Sequence, residues 1–181
     1  MPPADDKPEL YAVEGGVLAL SGPALREFLG AVLDRGAPFR FRARGMSMDP
    51  FIRDGDVITI VPRGARRLRA GDVIACCHPR GGHLIVHRVV ANAQAGIVLR
   101  GDANDAIDGV IAGDDVLGVV SVVRRGDRRV VIGMGPERLL LARLSRKDLL
   151  RPLVACARRA VHKLHALPPN TGVTPGGETR D

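Results

Sequence analysis

The spacing of apolar residues changes twice along this chain of 181 residues. From Leu25 to Leu33 apolar residues recur every three or four positions, as on one face of a helix, and Gly36 ends that pattern. From Phe39 onwards apolar and charged residues alternate, as in a strand with one buried face. After Pro136 the leucines return to helical spacing. The sequence therefore predicts an N-terminal helix, a β body and a C-terminal helical segment.

The β body is predicted from short β-branched runs that are separated by turn signals such as Asp54-Gly55-Asp56 and Ala70-Gly71-Asp72. No helical pattern lies between these runs, which favours an antiparallel β-sandwich or small barrel over a sheet of alternating strands and helices. Besides the alternating stretch that starts at Phe39, the expected strands are Val57–Val61, Val73–Cys77, Leu84–Val90, Gly96–Leu99, Val116–Val123 and Arg129–Ile132.

Composition and spacing divide the chain into four segments: an arm with the first helix (1–38), the β body (39–135), a basic helical segment (136–167) and a tail expected to be disordered (168–181). In the third segment, Ser145 followed by Asp148 predicts the cap of a second helix. Pro152 then lies inside that helix, where proline would kink it.

The net charge of +7 is concentrated near the C-terminus. Between Pro136 and Leu167 eight lysines and arginines stand against two acidic residues. This segment fits packing on the body, contact with an anionic membrane surface, or a partner protein or nucleic acid. Because the rest of the chain is nearly neutral, nucleic-acid binding is not expected of the whole molecule. Aromatic residues make up 3% and Trp is absent, which argues against a stacking platform for bases or sugars.

The N-terminal sequence and the cysteines bear on localisation. The first twenty residues carry several acids and no apolar run, so no signal peptide is expected, and no later stretch reaches the roughly 18 apolar residues of a membrane-spanning helix. The three cysteines are Cys76, its neighbour Cys77 and the remote Cys156, which suggests no disulfide framework. We expect a cytoplasmic protein, with the basic segment as a candidate peripheral membrane contact.

Three stretches could carry chemistry. Ser47 stands between two methionines where a strand gives way to a turn, a position that suits a nucleophile but also an ordinary strand end. His87 interrupts an apolar strand, where a buried imidazole needs a partner. Asp102, Asp105 and Asp108 follow the next strand, in what could equally be a solvated turn or a weak cation loop. Serine, histidine and aspartate are the components of a catalytic triad, but their order does not establish their geometry.

Five motifs in this chain together resemble the signal peptidase I family. They are Gly45-Met46-Ser47-Met48-Asp49-Pro50, Arg53-Asp54-Gly55-Asp56-Val57, Arg69-Ala70-Gly71-Asp72-Val73-Ile74, Ile85-Val86-His87-Arg88-Val89 and Gly101-Asp102-Ala103-Asn104. They occur in the family's order over about residues 40–123. The likeness is greatest to the archaeal and endoplasmic-reticulum branch, including the SipW type, which has histidine where bacterial enzymes have lysine. The Gly-Met-Ser-Met form is also that of LexA-type self-cleaving proteins.

The resemblance implies a signal-peptidase-like or LexA-like β-fold and peptide-bond hydrolysis through an acyl-enzyme, without a cofactor. No metal site is expected either, because the Cys76-Cys77-His78 cluster lacks the C-x₂-C spacing of structural zinc. Ser47 matches the nucleophile and His87 the general base. Ungapped counting from Gly101 places the triad acid at Asp108, while Asp102 matches the family's other important acid; Asp105 ranks third. The family often has serine two residues before the nucleophile, where this chain has Gly45. The backbone N–H groups of Ser47 and Met46 are therefore expected to hold the oxyanion.

The lysines offer an independent check on the base. The chain has only Lys7, Lys147 and Lys163, all outside the predicted body, so a Ser–Lys dyad is not available there. The expected function is a serine endopeptidase acting on a peptide or precursor protein. The chain departs from the family in having an acidic arm and a soluble helix where signal peptidases have a membrane helix. A LexA-like self-cleaving regulatory module and a catalytically degenerate binding domain remain as alternatives.

Overall fold

The computed structural model describes residues 22–165, with side chains as far as residue 159. The N-terminal arm up to residue 21 and the predicted tail at 168–181 lie outside the described residues. The helices are α1 (Gly22–Asp34), α2 (Arg138–Arg146) and α3 (Leu150–His165). The strands are β1 (Phe39–Arg42), β2 (Val57–Val61), β3 (Val73–Cys77), β4 (Leu84–Ala93), β5 (Gly96–Arg100), β6 (Gly109–Ile111), β7 (Val116–Arg125) and β8 (Arg128–Arg129).

The eight strands form one sheet, in which every pairing is antiparallel. Hydrogen-bonded neighbours follow the order β1-β2-β7-β3-β4-β5-β6, and β8 extends the β7 hairpin. The prediction of a mainly antiparallel β protein with an N-terminal helix and a C-terminal helical segment is confirmed. Among the described strands, β1 and β6 end the path without pairing with each other, so the sheet is open.

Apolar side chains cover both faces of this sheet, because successive residues of a strand point to opposite sides. In β3, Val73 and Ala75 belong to one core cluster, and Ile74 and Cys76 belong to the other. The first cluster also takes Leu29 and Leu33 from α1 and Met48 and Ile52 from the loop between β1 and β2. The second cluster is formed largely by β3, β4, β5 and β7. A strand buried on both sides explains why β3 is an almost continuous apolar run.

Four details differ from the sequence-based expectations. The three-residue strand β6 was not predicted, because it is too short to show a period. The last strand covers Arg128–Arg129 instead of Arg129–Ile132, and Ile132 is exposed. Ser145 is buried inside α2 and caps no helix. The next helix begins at Leu150, so Pro152 lies in its first turn, where proline is tolerated and no kink results.

The connection between α2 and α3 explains why the predictions for Ser145 and Pro152 were wrong. Lys147 ends α2, and its N–H still contacts the carbonyls of that helix. Asp148 then adopts a positive φ of 59°, a left-handed conformation that ends α2 and changes the direction of the chain. Ser145 therefore belongs to the helix that ends at this point, and its carbonyl faces Arg100.

No helix within residues 22–165 has the length and apolar character needed to cross a bilayer.

Candidate active site

The predicted nucleophile lies in the loop between β1 and β2. Gly45, with a φ of 88°, turns the chain out of β1, a conformation that favours glycine. Two short-range backbone bonds then close the loop, from the Asp49 N–H to the Met46 carbonyl (3.0 Å) and from the Phe51 N–H to the Met48 carbonyl (3.1 Å). Met48 is buried in the first core cluster, whereas Met46 is exposed. The loop thus anchors itself through Met48 and leaves Ser47 at the half-buried surface.

The two carboxylates of the Asp54-Gly55-Asp56 motif hold the Ser47 loop in place through hydrogen bonds. Asp54 accepts a hydrogen bond from the Gly45 N–H at 2.9 Å. Asp56 is buried and accepts from the Arg53 N–H (2.8 Å) and from two guanidinium nitrogens of Arg125 (2.9 and 2.8 Å). Burial raises the pKa of Asp56, but the Arg125 side chain and the Arg53 N–H outweigh it, so the pKa lies below its usual value. Asp56 therefore remains an ionised anchor at neutral pH.

His87 lies within β4 and connects the Ser47 loop to Asp108. Its Nε2 atom is 2.8 Å from the Ser47 Oγ, and its Nδ1 atom is 2.5 Å from an Asp108 Oδ. The His87 and Asp108 side chains are both more than nine-tenths buried. With the proton on Nδ1, His87 donates to Asp108 and accepts from the Ser47 hydroxyl. This chain of two hydrogen bonds has the connectivity of a serine-protease triad.

Arg88, next to His87, is fully buried and holds Asp102. Its guanidinium donates two hydrogen bonds of 2.7 Å to the two Asp102 oxygens, and two of 2.9 Å to the carbonyls of Gly71 and Gly133. The guanidinium also lies 5.5 Å from the centre of the Phe51 ring. Both side chains of the Arg88–Asp102 pair are completely inaccessible to solvent. A paired and hydrogen-bonded charge can be buried in this way without a large penalty.

The segment 101–108 reaches both faces of β4, which explains how one loop serves two neighbouring residues. It starts directly after Arg100, whose register partner in β4 is Arg88. Asp102 pairs with Arg88, and Asp108, six residues later, pairs with His87 as the chain enters β6. The Asp108 N–H donates to the Leu99 carbonyl at 2.9 Å and fixes the end of the loop.

The same segment packs directly against the Ser47 loop. The Ala103 N–H donates to the Ser47 carbonyl at 2.8 Å. A Cβ atom added at Gly101 would lie 2.7 Å from that carbonyl oxygen, so the approach requires glycine. The Gly-Asp-Ala-Asn motif therefore does two things: its glycine admits the Ser47 loop and its aspartate anchors Arg88.

Of the three acids that the sequence left open, the structure places Asp108 at His87 and the other two elsewhere. Asp102 contacts Arg88 instead of His87. The Asp105 carboxylate is exposed and pairs with Arg151 of α3. The Asp105 carbonyl accepts a hydrogen bond of 2.8 Å from Arg100. Asp105 therefore faces the C-terminal helices, away from the imidazole.

The expected oxyanion donors are the backbone N–H groups of Met46 and Ser47. Among the described residues, no carbonyl or side chain accepts a hydrogen bond from either group. Both groups are thus available beside the Ser47 hydroxyl, in a turn that other bonds hold in place. Unused backbone N–H groups next to a nucleophile are the donors that acyl-transfer enzymes direct at a developing oxyanion.

A groove of about 620 Å³ adjoins the Ser47 loop. It is lined by Asp49, Asp102 and Ala103 of the body and by five residues of α3, which are Arg151, Pro152, Val154, Ala155 and Arg158. Arg158 of α3 pairs with Asp49, two residues after Ser47, and closes part of one side. Helix α3 therefore borders the surface next to the Ser47 loop.

In the described part of the chain, the side chains of Cys76, His78 and His83 form no hydrogen bond with Ser47, His87 or Asp108. Burial raises the pKa of the Cys76 thiol to about 12, with smaller contributions from Cys77 and the carboxylates of Asp108 and Asp115. Cys76 is thus protonated at neutral pH and packs as a small apolar residue in the second core cluster. His78 and His83 stack on each other at the β3–β4 hairpin, with ring centres 4.9 Å apart.

Sequence reasoning missed the roles of Arg88 and Arg100. Arg100 is buried and donates to the Ser145 carbonyl (2.6 Å), to the Asp148 carboxylate (2.5 Å) and to the carbonyls of residues 104 and 105. It ties the acid-bearing loop to the end of α2. A signal was present: each arginine interrupts or ends an apolar strand, and a buried cation needs a partner. The nearby acidic turn at 102–108 could have been matched to Arg88, whereas the carboxylate partner of Arg100 is Asp148, 48 residues further along the chain.

Searches of protein-family models, curated proteins and solved structures find no match for this sequence. What the site does is therefore inferred from its own geometry and from the sequence motifs.

Proposed function

We propose that this chain is a serine endopeptidase of the signal peptidase I type, which hydrolyses a peptide bond in a peptide or precursor protein. The observation that carries the proposal is the continuous hydrogen-bonded chain Ser47–His87–Asp108, with distances of 2.8 and 2.5 Å. Three residues from separate parts of the sequence meet in the order that a general-base mechanism requires. The ordered motifs of the sequence support the same family assignment.

In the proposed reaction the Ser47 Oγ attacks the scissile carbonyl carbon while His87 Nε2 takes the hydroxyl proton. The N–H groups of Met46 and Ser47 stabilise the oxyanion that forms. The C–N bond then breaks, and the imidazolium gives its proton to the leaving amine, which leaves an acyl ester on Ser47. Water, activated by His87, hydrolyses this ester and restores the hydroxyl.

Asp108 has a separate task in this scheme. Its carboxylate accepts the Nδ1 hydrogen, so that Nε2 remains free to take the serine proton, and it stabilises the imidazolium formed during the reaction. Because His87 and Asp108 are buried, solvent only weakly screens the attraction between the imidazolium and the carboxylate. The groove beside the Ser47 loop is the proposed path of the substrate peptide.

The scarcity of lysine supports histidine as the base. Of the three lysines in the chain, Lys147 lies at the end of α2, Lys163 lies in α3, and Lys7 precedes the described residues. Arginine cannot substitute, since its guanidinium stays protonated in proteins. His87 is the basic side chain within hydrogen-bond reach of Ser47 in the described structure.

A fluorophosphonate probe, which modifies activated serines, tests the proposal. Wild type should be modified at Ser47, and Ser47→Ala and His87→Ala should remain unmodified. Ser121→Ala is the matched control, because Ser121 is exposed on β7 and should not affect labelling. Peptide mass spectrometry locates the modification. An unlabelled wild type, or labelling that persists in Ser47→Ala, would reject the enzyme and favour a degenerate binding domain.

The same samples distinguish an external substrate from self-cleavage. Intact-mass measurement of wild type during storage should show a full-length chain if the substrate is another peptide. A shortened chain in wild type that is absent from His87→Ala would instead favour the LexA-like self-cleaving module.

A further inference from the structure

Helix α3 contacts the body mainly through its charged edge. Arg151 and Arg158, two turns apart on the same side of the helix, pair with Asp105 and Asp49 respectively. Leu150, at the start of the helix, is its buried apolar anchor. From residue 151 to 159 every residue except Val154 is exposed. The helix therefore rests on the body through Leu150, the half-buried Val154 and two ion pairs at the surface.

The apolar face of α3 is covered at Leu150 and left uncovered at the two positions that follow it on that face. Leu150, Leu153 and Ala157 share one helical face by their spacing, yet Leu153 is 52% exposed and Ala157 is exposed as well. An amphipathic helix of a globular protein normally turns such a face to the core. Exposed leucines also occur in α2 and in its connection to α3. They are Leu139, Leu140 and Leu149, and each is about half exposed.

The segment that carries these leucines also has exposed basic residues. They are Arg143 and Arg146 on α2, Lys147 at its end and Arg159 on α3. Within the described residues none of these four side chains forms an ion pair, unlike Arg151 and Arg158. The segment thus combines uncovered leucines with uncompensated positive charge.

We propose that α2 and α3 dock on the surface of a bilayer that contains anionic lipid. The exposed leucines would enter the boundary between headgroups and acyl chains, and the four basic side chains would contact lipid phosphates. Charge complementarity selects this occupant. A second copy of the chain would bring the same positive surface against itself. A nucleic acid would engage the basic residues but would leave the leucines in water, since its affinity comes mainly from phosphate contacts.

Docking in this way does not depend on the proposed peptidase activity, so the two can fail separately. All binding measurements can be made on full-length Ser47→Ala protein. The two probes are vesicles of phosphatidylcholine alone and vesicles that also contain phosphatidylglycerol.

The first experiment is co-sedimentation with these vesicles. Binding is expected with phosphatidylglycerol vesicles and not with phosphatidylcholine alone. Leu153→Glu and the double variant Arg146→Glu/Arg159→Glu should each weaken it by about tenfold or more. Val110→Glu and Arg128→Glu are matched controls at exposed positions on β6 and β8, and should bind as the parent does. Circular dichroism checks that each variant is folded.

The second experiment uses the absence of Trp from the chain. Leu153→Trp should show a blue-shifted emission on anionic vesicles, and Val110→Trp should not. No binding to anionic vesicles, or binding without a shift at position 153, would overturn the proposal. Equal loss of binding in the controls would also overturn it. Self-association that Leu153→Glu abolishes, or RNA binding that outcompetes the vesicles, would assign the surface to those partners instead.

Discussion

The β body and helix α3 both use arginine–aspartate pairs, but in opposite environments. Arg88 and Asp102 are wholly buried, and their hydrogen bonds join β4, the 101–108 segment, Gly71 and Gly133. Arg151 and Arg158 of α3 pair with aspartates while remaining about half exposed. A buried pair is costly to break because the remaining charge has no water, whereas an exposed pair is screened and contributes little. The difference indicates a rigid frame around His87 and a lightly attached helix beside it.

The contrast also exists within one loop, between Asp108 and Asp105. Asp108→Asn should lower the rate of peptide hydrolysis or probe labelling by about 10⁴-fold, because an amide no longer holds the imidazole in the reactive tautomer. Asp105→Asn, at an exposed position three residues earlier, is the matched control and should stay near wild type. The measurement is kcat/KM or the labelling rate at neutral pH. If both variants lose the same amount of activity, the buried contact of Asp108 with His87 is not what makes an acid of this loop important for the reaction.

Breaking the buried pair should have the next largest effect. Asp102→Ala leaves the Arg88 guanidinium buried without its carboxylate, which should cost about 3–5 kcal/mol of unfolding free energy. Urea unfolding followed by circular dichroism measures this change. Asp105→Ala is the control for loss of an exposed pair. A loss below about 1 kcal/mol for Asp102→Ala would show that water or another group compensates Arg88.

Removing an exposed pair should have the smallest effect. Arg158→Ala is expected to change the unfolding free energy by less than about 1 kcal/mol, because its pair with Asp49 is open to solvent. Any effect should shrink further at high salt, where surface charges are screened. Unfolding curves at low and high salt check both points. A large, salt-insensitive loss would show that α3 is an integral part of the frame.

The local sequence was sufficient for the main elements of the fold. The spacing of Leu25 to Leu33 predicted α1, and the β-branched runs predicted β2 and β3 with the observed bounds. The prediction was less accurate for elements that are too short to show an apolar period, or whose sequence pattern fits more than one structure. Strand β6 has three residues and follows an acidic turn. Ser145 has the sequence context of a cap, but Asp148 ends α2 by adopting a left-handed conformation, and this moved the start of the next helix.

The candidate site shows the same division. The residue types and motifs singled out Ser47 and His87, and the structure brings their side chains to 2.8 Å. The acid could only be ranked, because Asp102, Asp105 and Asp108 lie in one turn at similar sequence distance from His87. Arg88 and Arg100 were overlooked, although charged residues in apolar strands indicate buried partners.

By itself the sequence determined which residues could perform chemistry and which stretches form strands or helices, because side-chain type and apolar period act over a few neighbouring positions. Only the tertiary structure decided that Asp108 meets His87, that Asp102 meets Arg88 and that α3 leaves Leu153 exposed. Those outcomes depend on strand register and on where a loop closes, and these are set by contacts between residues far apart in the chain.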